Sequence, residues 1–404
     1  MLIEFTVGNY RSIREKKTLS FEASSQKDYP NNVIEKDGYK LLKSIVIYGA
    51  NSSGKSNILT AIEKMKIIVE ESFTLSTADK INTSPFLLNA ESAKSPSSFE
   101  VLFLIEGIRY RYAFEVNETE VYSEYLYINE SKIGTEKMLF ARVYDKIEVT
   151  KHFTEGEGIE DRTKNNTLFL TVVNQFNGPI SKKIIDWFNS LEIFSGIDHK
   201  DKKFITSHFL RDKVMLAKIK DFLSSLTLGF QDIKDTNKND FFAKSIKTVH
   251  KKFDKNGKLI GTIDFDLVEQ ESSGTNKIYD MAGLIVYSLV YGKFVGIDEL
   301  DAKLHPLLTQ AIVKLFHEVE TNHYNSQLVF STHDTNLLNA CLFRRDQIYF
   351  TEKNELEETD LYSLSEYIDD EGKKVRNDSS LEKNYIAGRY GAIPYIGDFE
   401  KLIN

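Results

Sequence analysis

Gly49-Ala50-Asn51-Ser52-Ser53-Gly54-Lys55-Ser56 follows the pattern G-x-x-x-x-G-K-[ST], which cradles nucleotide phosphates when it joins a strand to a helix. Its glycines let the backbone curl so that successive N–H groups face one concavity, and the positive end of the following helix adds to that field. In such a loop Lys55 reaches the β- and γ-phosphates and the Ser56 hydroxyl ligates Mg²⁺. The nucleotide-binding residues expected from the loop are Gly49, Asn51, Ser53, Gly54, Lys55, Ser56 and Asn57. A phosphate loop needs an acidic partner at a neighbouring strand tip, and Phe294-Val-Gly-Ile-Asp298-Glu299 supplies two carboxylates after an apolar run. Asp298 is placed to hold the metal through water, and Glu299 to polarise the attacking water. A further apolar run, Leu328-Val-Phe-Ser-Thr, ends in His333-Asp334, where a histidine can report the presence of a γ-phosphate. A lone histidine is more often a structural hydrogen-bonder, and only its place in an ordered set favours the functional role. The fourth piece is Glu271-Ser272-Ser273-Gly274-Thr275, opening an apolar helix; its hydroxyl and free N–H groups make an anion-binding end. The expected catalytic residues are thus Lys55, Glu299 and His333, and the metal ligands Ser56 and Asp298.

The elements that must position these residues are legible in the hydrophobic pattern. Lys43 to Tyr48 is a β-branched run leading into the glycine loop, and Ile58, Leu59, Ile62, Met65 and Val69 recur at helical spacing after it. Between Phe99 and Val116 the period becomes two, broken by Glu106-Gly107, which predicts a β-hairpin; alternating segments continue to about His152 as an antiparallel sheet. From Ile180 to about Gly229 the texture is that of amphipathic helices, IIDWFNSLEIF among them, without a sustained heptad register. Strand-like segments return near Val249 and Leu259, joined by a turn at Asp254–Gly257, and the final 160 or so residues read as alternating helix and strand.

Composition narrows the class. The 404 residues hold 41% apolar and 28% charged positions, as an ordinary globular chain does. Lys and Arg total 52 against 60 Asp and Glu, a net charge of −8, which excludes a continuously basic nucleic-acid-binding face. The single cysteine, Cys341, cannot form an internal disulfide, no apolar stretch approaches the ~18 residues of a membrane span, and no export signal is evident. A cytoplasmic location without membrane attachment is expected.

In this order the motifs resemble those of ABC-type ATPases of the RecF, SMC and OLD clade. They comprise a Walker A loop at Gly49–Ser56, a signature-like Ser272-x-Gly274, a Walker B pair at Asp298-Glu299, a D-loop at Leu300-Asp301 and a switch histidine, His333. Gly8-Asn9-Tyr10-Arg11-Ser12, the ESSGT signature, Asp298 to Pro306, Arg344 to Phe350 and Tyr385 to Pro394 resemble bacterial AAA-family ATPases of antiphage and abortive-infection operons, such as the AbiL, Rlo and PARIS ATPase subunits. The resemblance is good over the N-terminal 70 and C-terminal 135 residues and vague for roughly 120–250. It implies ATP and Mg²⁺ as cofactors and a nucleotide sandwiched between two subunits. Ser272 and Gly274 would act on the partner's γ-phosphate, while Asn51, Lys55, Ser56, Asp298, Glu299 and His333 act within one chain, with Arg11 near the nucleotide. No Q-loop glutamine stands out.

The expected fold is therefore α/β: an ABC-type P-loop ATPase head with an antiparallel β subdomain and a helical insertion. It divides into an N-terminal lobe (1–150), a mainly helical insertion (151–245) and a C-terminal lobe (246–404). About 40 residues follow the last expected core strand near Leu361–Leu364, too few for the Toprim nuclease domain of OLD proteins, and Asp369-Asp370-Glu371 reads as a solvated turn. The implied function is an ATP-hydrolysing switch, a homodimer or higher homo-oligomer, controlling a separately encoded effector such as a nuclease or toxin. The alternative is a RecF- or SMC-like DNA-maintenance ATPase, with DNA or RNA met by the lysine-rich segments His199–Lys203 and His250–Lys252; a transporter subunit fits least, because about 216 residues separate Ser56 from Ser272.

Overall fold

In a computed structural model the described residues are 1–132, 134–195, 204–236, 246–339, 341–368, 372, 374–376 and 380–395. The chain opens with β1 (Leu2–Gly8), β2 (Lys17–Ser20), β3 (Val33–Lys36), β4 (Tyr39–Leu42), β5 (Ser44–Gly49) and α1 (Lys55–Glu71). A meander follows: β6 (Ser97–Ile105), β7 (Ile108–Val116), β8 (Val121–Asn129), β9 (Lys137–Val143) and β10 (Lys146–Val149). Next come α2 (Phe169–Gln175), α3 (Pro179–Asn189), β11 (Leu191–Ser195), α4 (Phe204–Phe209), α5 (Lys213–Ser225), β12 (Asp232–Asp235), β13 (Ile246–Phe253), β14 (Leu259–Asp266) and α6 (Leu267–Gln270). The remainder is α7 (Ser273–Tyr291), β15 (Phe294–Asp298), α8 (Pro306–His317), β16 (Gln327–Ser331), α9 (Asn336–Asn339), β17 (Ile348–Lys353), β18 (Thr359–Ser363) and α10 (Leu381–Ile386).

A six-stranded sheet in the order β11-β15-β16-β5-β17-β18 carries the site; its strands are parallel except for β18, which runs antiparallel to β17. Every residue of β5 is buried, as a central parallel strand covered on both faces requires. Ile45 and Ile47 face one apolar cluster, shared with α1, α3 and an antiparallel seven-stranded sheet (β10-β9-β8-β7-β6-β1-β2). Val46 and Tyr48 face the other, built around α7 and α8. The molecule is thus layered, and the parallel strands end together at the C-terminal edge where the candidate site residues lie.

One segment departs from the sequence reading. Residues 191–195, expected to continue a helix from Ile180, form β11, paired in parallel with β15 so that Ser195 lies opposite Asp298. Ile184, Phe188 and Leu191 keep a helical spacing, yet Leu191, Ile193 and Phe194 are buried against the sheet, and the helix stops at Asn189. The central sheet consequently draws strands from all three expected segments, and 151–245 is not wholly an insertion outside it. His199–Lys203 and Asp369–Glu371 lie outside the described residues, whereas His250–Lys252 belongs to β13, in a three-stranded sheet with β12 and β14.

Candidate nucleotide site

At the tip of β5 the chain turns through residues 50–54 into α1, and above that turn opens a cleft of about 800 Å³, within the range of small-molecule sites. It is lined by residues 51–57, Glu299, His333 and Lys353. Gly54 caps α1 with φ 107°, a left-handed conformation that favours glycine, and a Cβ there would collide with the Thr359 side chain. Thr359 in turn donates from Oγ1 to the Ser53 carbonyl at 2.9 Å, and the Ser53 hydroxyl lies 2.6 Å from Thr351 Oγ1. The loop is thereby moored to β17 and β18 at its back, leaving its front open.

Lys55 is buried, and its Nζ donates to the carbonyls of Gly49 (2.9 Å) and Ala50 (3.0 Å). Burial lowers its pKa from the usual lysine value, against the opposing pull of Glu299, Asp298 and Asp301. A cation held beside glycine-loop amides is the chemistry that a polyphosphate meets well. Ser56, at the start of α1, and Asp298, at the end of β15, offer hard oxygen donors. Among the described residues no group of three or more acidic, histidine or cysteine side chains could hold a metal alone.

A single hydroxyl organises the acidic tip. Ser331 Oγ, buried at the end of β16, donates to Asp298 Oδ1 and accepts the Glu299 N–H at 2.7 Å. Glu299 takes φ 52°, left-handed for a non-glycine residue, where its side chain faces the cleft rather than following the strand alternation. His333 leaves the next strand, with its N–H directed at the Asp301 carboxylate (3.3 and 3.4 Å). Burial, then Lys55, lowers the His333 pKa, while Asp301, Glu299 and Asp298 oppose the shift; the net result favours a neutral ring at pH 7.

Among the expected residues, Asn51, Ser53, Gly54, Lys55, Ser56, Asn57, Glu299 and His333 line this one cleft. Gly49 lies beneath it, with no room for a Cβ beside Ser53 and Thr351. Arg11 does not line the cleft; it is exposed, its Nη1 3.4 Å from both Asn57 Oδ1 and Thr60 Oγ1. Ser272 and Gly274 do not line the cleft. Ser272 caps α7 by accepting the Thr275 N–H at 3.1 Å, and Gly274 packs against the Lys303 carbonyl. Three contributors went unread in the sequence: Ser331; Lys353, which lines the cleft from β17; and Lys277, buried on α7 with its Nζ bonded to the carbonyls of Glu299, Leu300 and Ala302. None of the three carried a sequence signal: the place of Lys353 comes from the pairing of Thr351 with Gly49, which only the fold supplies.

A family model described as "AAA domain, putative AbiEii toxin, Type IV TA system" matches residues 44–339. That span runs from β5 to α9 and so includes the glycine loop, the acidic tip and His333. No curated protein matches the chain.

Proposed function

The chain belongs to this AAA-domain family, and from that premise we propose that it is an ATP-binding and hydrolysing molecular switch of the ABC-type RecF, SMC and OLD clade. The observation that carries the reading is the convergence of Lys55, Glu299 and His333 on one cleft from the tips of β5, β15 and β16. Lys55 neutralises the terminal phosphates, and the Glu299 carboxylate accepts a proton from, and orients, the attacking water. His333, neutral and at the rim, donates to the γ-phosphate. Ser56 and Asp298 would hold Mg²⁺, which would supply charge neutralisation at the phosphates. Steady-state phosphate release tests this directly: Lys55→Ala and Glu299→Gln should each lower turnover by at least ~100-fold, and equal turnover in all three proteins contradicts it.

We further propose that two copies close on ATP, with Ser272 and Gly274 of one completing the cleft of the other. Support comes from the placement of both outside their own cleft, at an exposed helix start. The toxin–antitoxin wording of the family supports a defence-like context, in which a separately encoded nuclease or toxin reads the closed or open state from the cytoplasm. Among the described residues no helix is long and apolar enough to cross a membrane. Direct DNA or RNA binding is the second reading, favoured by Lys251, Lys252, Lys255 and Lys258, all exposed on the β13–β14 hairpin.

A further inference from the structure

Lys277 stands on α7 among apolar neighbours and is 0% exposed. Its Nζ donates to three main-chain carbonyls: Glu299 at 2.8 Å, Leu300 at 3.0 Å and Ala302 at 2.7 Å. An ammonium has three N–H donors, and here each has an acceptor. All three acceptors belong to the turn leaving β15. Burial is the largest influence on this ammonium and opposes its charge, as Lys303 also does, while Asp301, Glu299 and Asp298 favour it. A buried charge is retained only where such partners compensate its lost hydration, so this turn and this ammonium define one another.

Two neighbouring contacts give the arrangement a direction. Glu299 is tied at both ends of its backbone, its N–H to Ser331 Oγ and its carbonyl to Lys277, which together hold the left-handed φ of 52°. Gly274, three residues before Lys277, approaches the Lys303 carbonyl so closely that a Cβ would lie 2.8 Å from it. The start of α7, with Ser272 and Gly274, is therefore packed as one body with the turn 299–303.

We infer that Lys277 is a positioning residue: from the helix that Ser272 caps, it holds the Glu299 backbone so that the carboxylate faces the cleft, and it transmits engagement of Ser272 and Gly274 to Glu299. The inference rests on the ATP-switch reading and deepens it. One nucleotide, held by the start of α7, then sets the geometry of the glutamate serving the other.

The test is steady-state ATP turnover, with ATP affinity by equilibrium dialysis, for wild type, Lys277→Met, Ser272→Arg and the double variant. Lys277→Met should lower kcat roughly 10- to 100-fold with affinity within about 3-fold of wild type, the cost of a small misplacement of a reacting group. The double variant should be no slower than the slower single variant, because the signal is already cut. Wild-type kcat in Lys277→Met, wild-type kcat in Ser272→Arg, or losses that multiply would each overturn the inference. A wild-type protein that binds no ATP overturns the underlying reading instead. Should Lys277→Met lose its cooperative thermal transition, the intact protein decides. Burial lowers the Lys277 pKa to about 8, so losing that proton removes one donor from the clamp. On this account kcat falls above pH 8 with ATP affinity unchanged, whereas neutralising Lys55 would lower ATP affinity and kcat together; a kcat that stays flat from pH 7 to 9.5 overturns the inference.

Discussion

Ser331 Oγ accepts the Glu299 N–H at 2.7 Å and donates to Asp298 Oδ1, so one side chain at the end of β16 sets both acidic residues at the tip of β15. Ser331→Ala removes both bonds without adding bulk. It should lower kcat about 10-fold or more, leave ATP affinity nearly unchanged, and destabilise the fold by about 1–3 kcal/mol for the unsatisfied buried groups. Steady-state kinetics with a thermal melt separate the two effects.

Gly54→Ala should abolish ATP binding. The left-handed φ of 107° disfavours any Cβ, and the added methyl meets Thr359, whose hydroxyl supports the Ser53 carbonyl. The strain is of order 1–3 kcal/mol, visible as a lowered Tm, while loss of nucleotide binding is read by fluorescence of a labelled ATP.

Lys353 lines the cleft from β17, the strand that pairs with β5 beside the glycine loop, and lies 3.5 Å from Glu357, an exposed carboxylate whose hold is weak. Lys353→Ala is expected to raise KM for ATP about 3- to 10-fold while kcat changes little, as loss of uniform binding requires. A fall in kcat at constant KM would assign Lys353 to the chemical step instead.

The strand–loop–helix unit at Lys43–Val69 and the hairpin at Phe99–Val116 were legible because local period and turn chemistry agree there with the final fold. The same holds for the cleft residues contributed by the glycine loop, Glu299 and His333. β11 was hidden, since Leu191 extends the helical spacing of Ile184 and Phe188, and only pairing with β15, about 100 residues onward, decides otherwise. Lys277 and Ser331 were hidden for a related reason. A lysine on a helix reads as solvated, and a serine before a turn reads as ordinary strand end; their roles come from backbone groups at 299–302 that the fold alone brings near.

His317 gives a pH signature independent of nucleotide. Buried at the end of α8, with its Nε2 2.7 Å from Ser44 Oγ, it is lowered to about 3, first by burial and then by Lys43. Its folded pKa lies below the unfolded value near 6.5, so the unfolded chain takes up the proton first and stability falls as pH drops from 6.5 toward 3. The loss is of order 2 kcal/mol at pH 5. Tm should decline over this window in wild type and decline less steeply in His317→Gln; parallel slopes would remove His317 as the cause.

ATP-driven closure around composite sites is the central claim. Glu299→Gln should bind ATP without turning it over and so accumulate the closed state, which makes its molar mass, measured by light scattering with and without ATP and Mg²⁺, the most direct test. The mass should double on adding ATP and Mg²⁺, and the increase should vanish when Ser272→Arg is added. A monomer that binds ATP at full occupancy without any gain in mass would contradict the account.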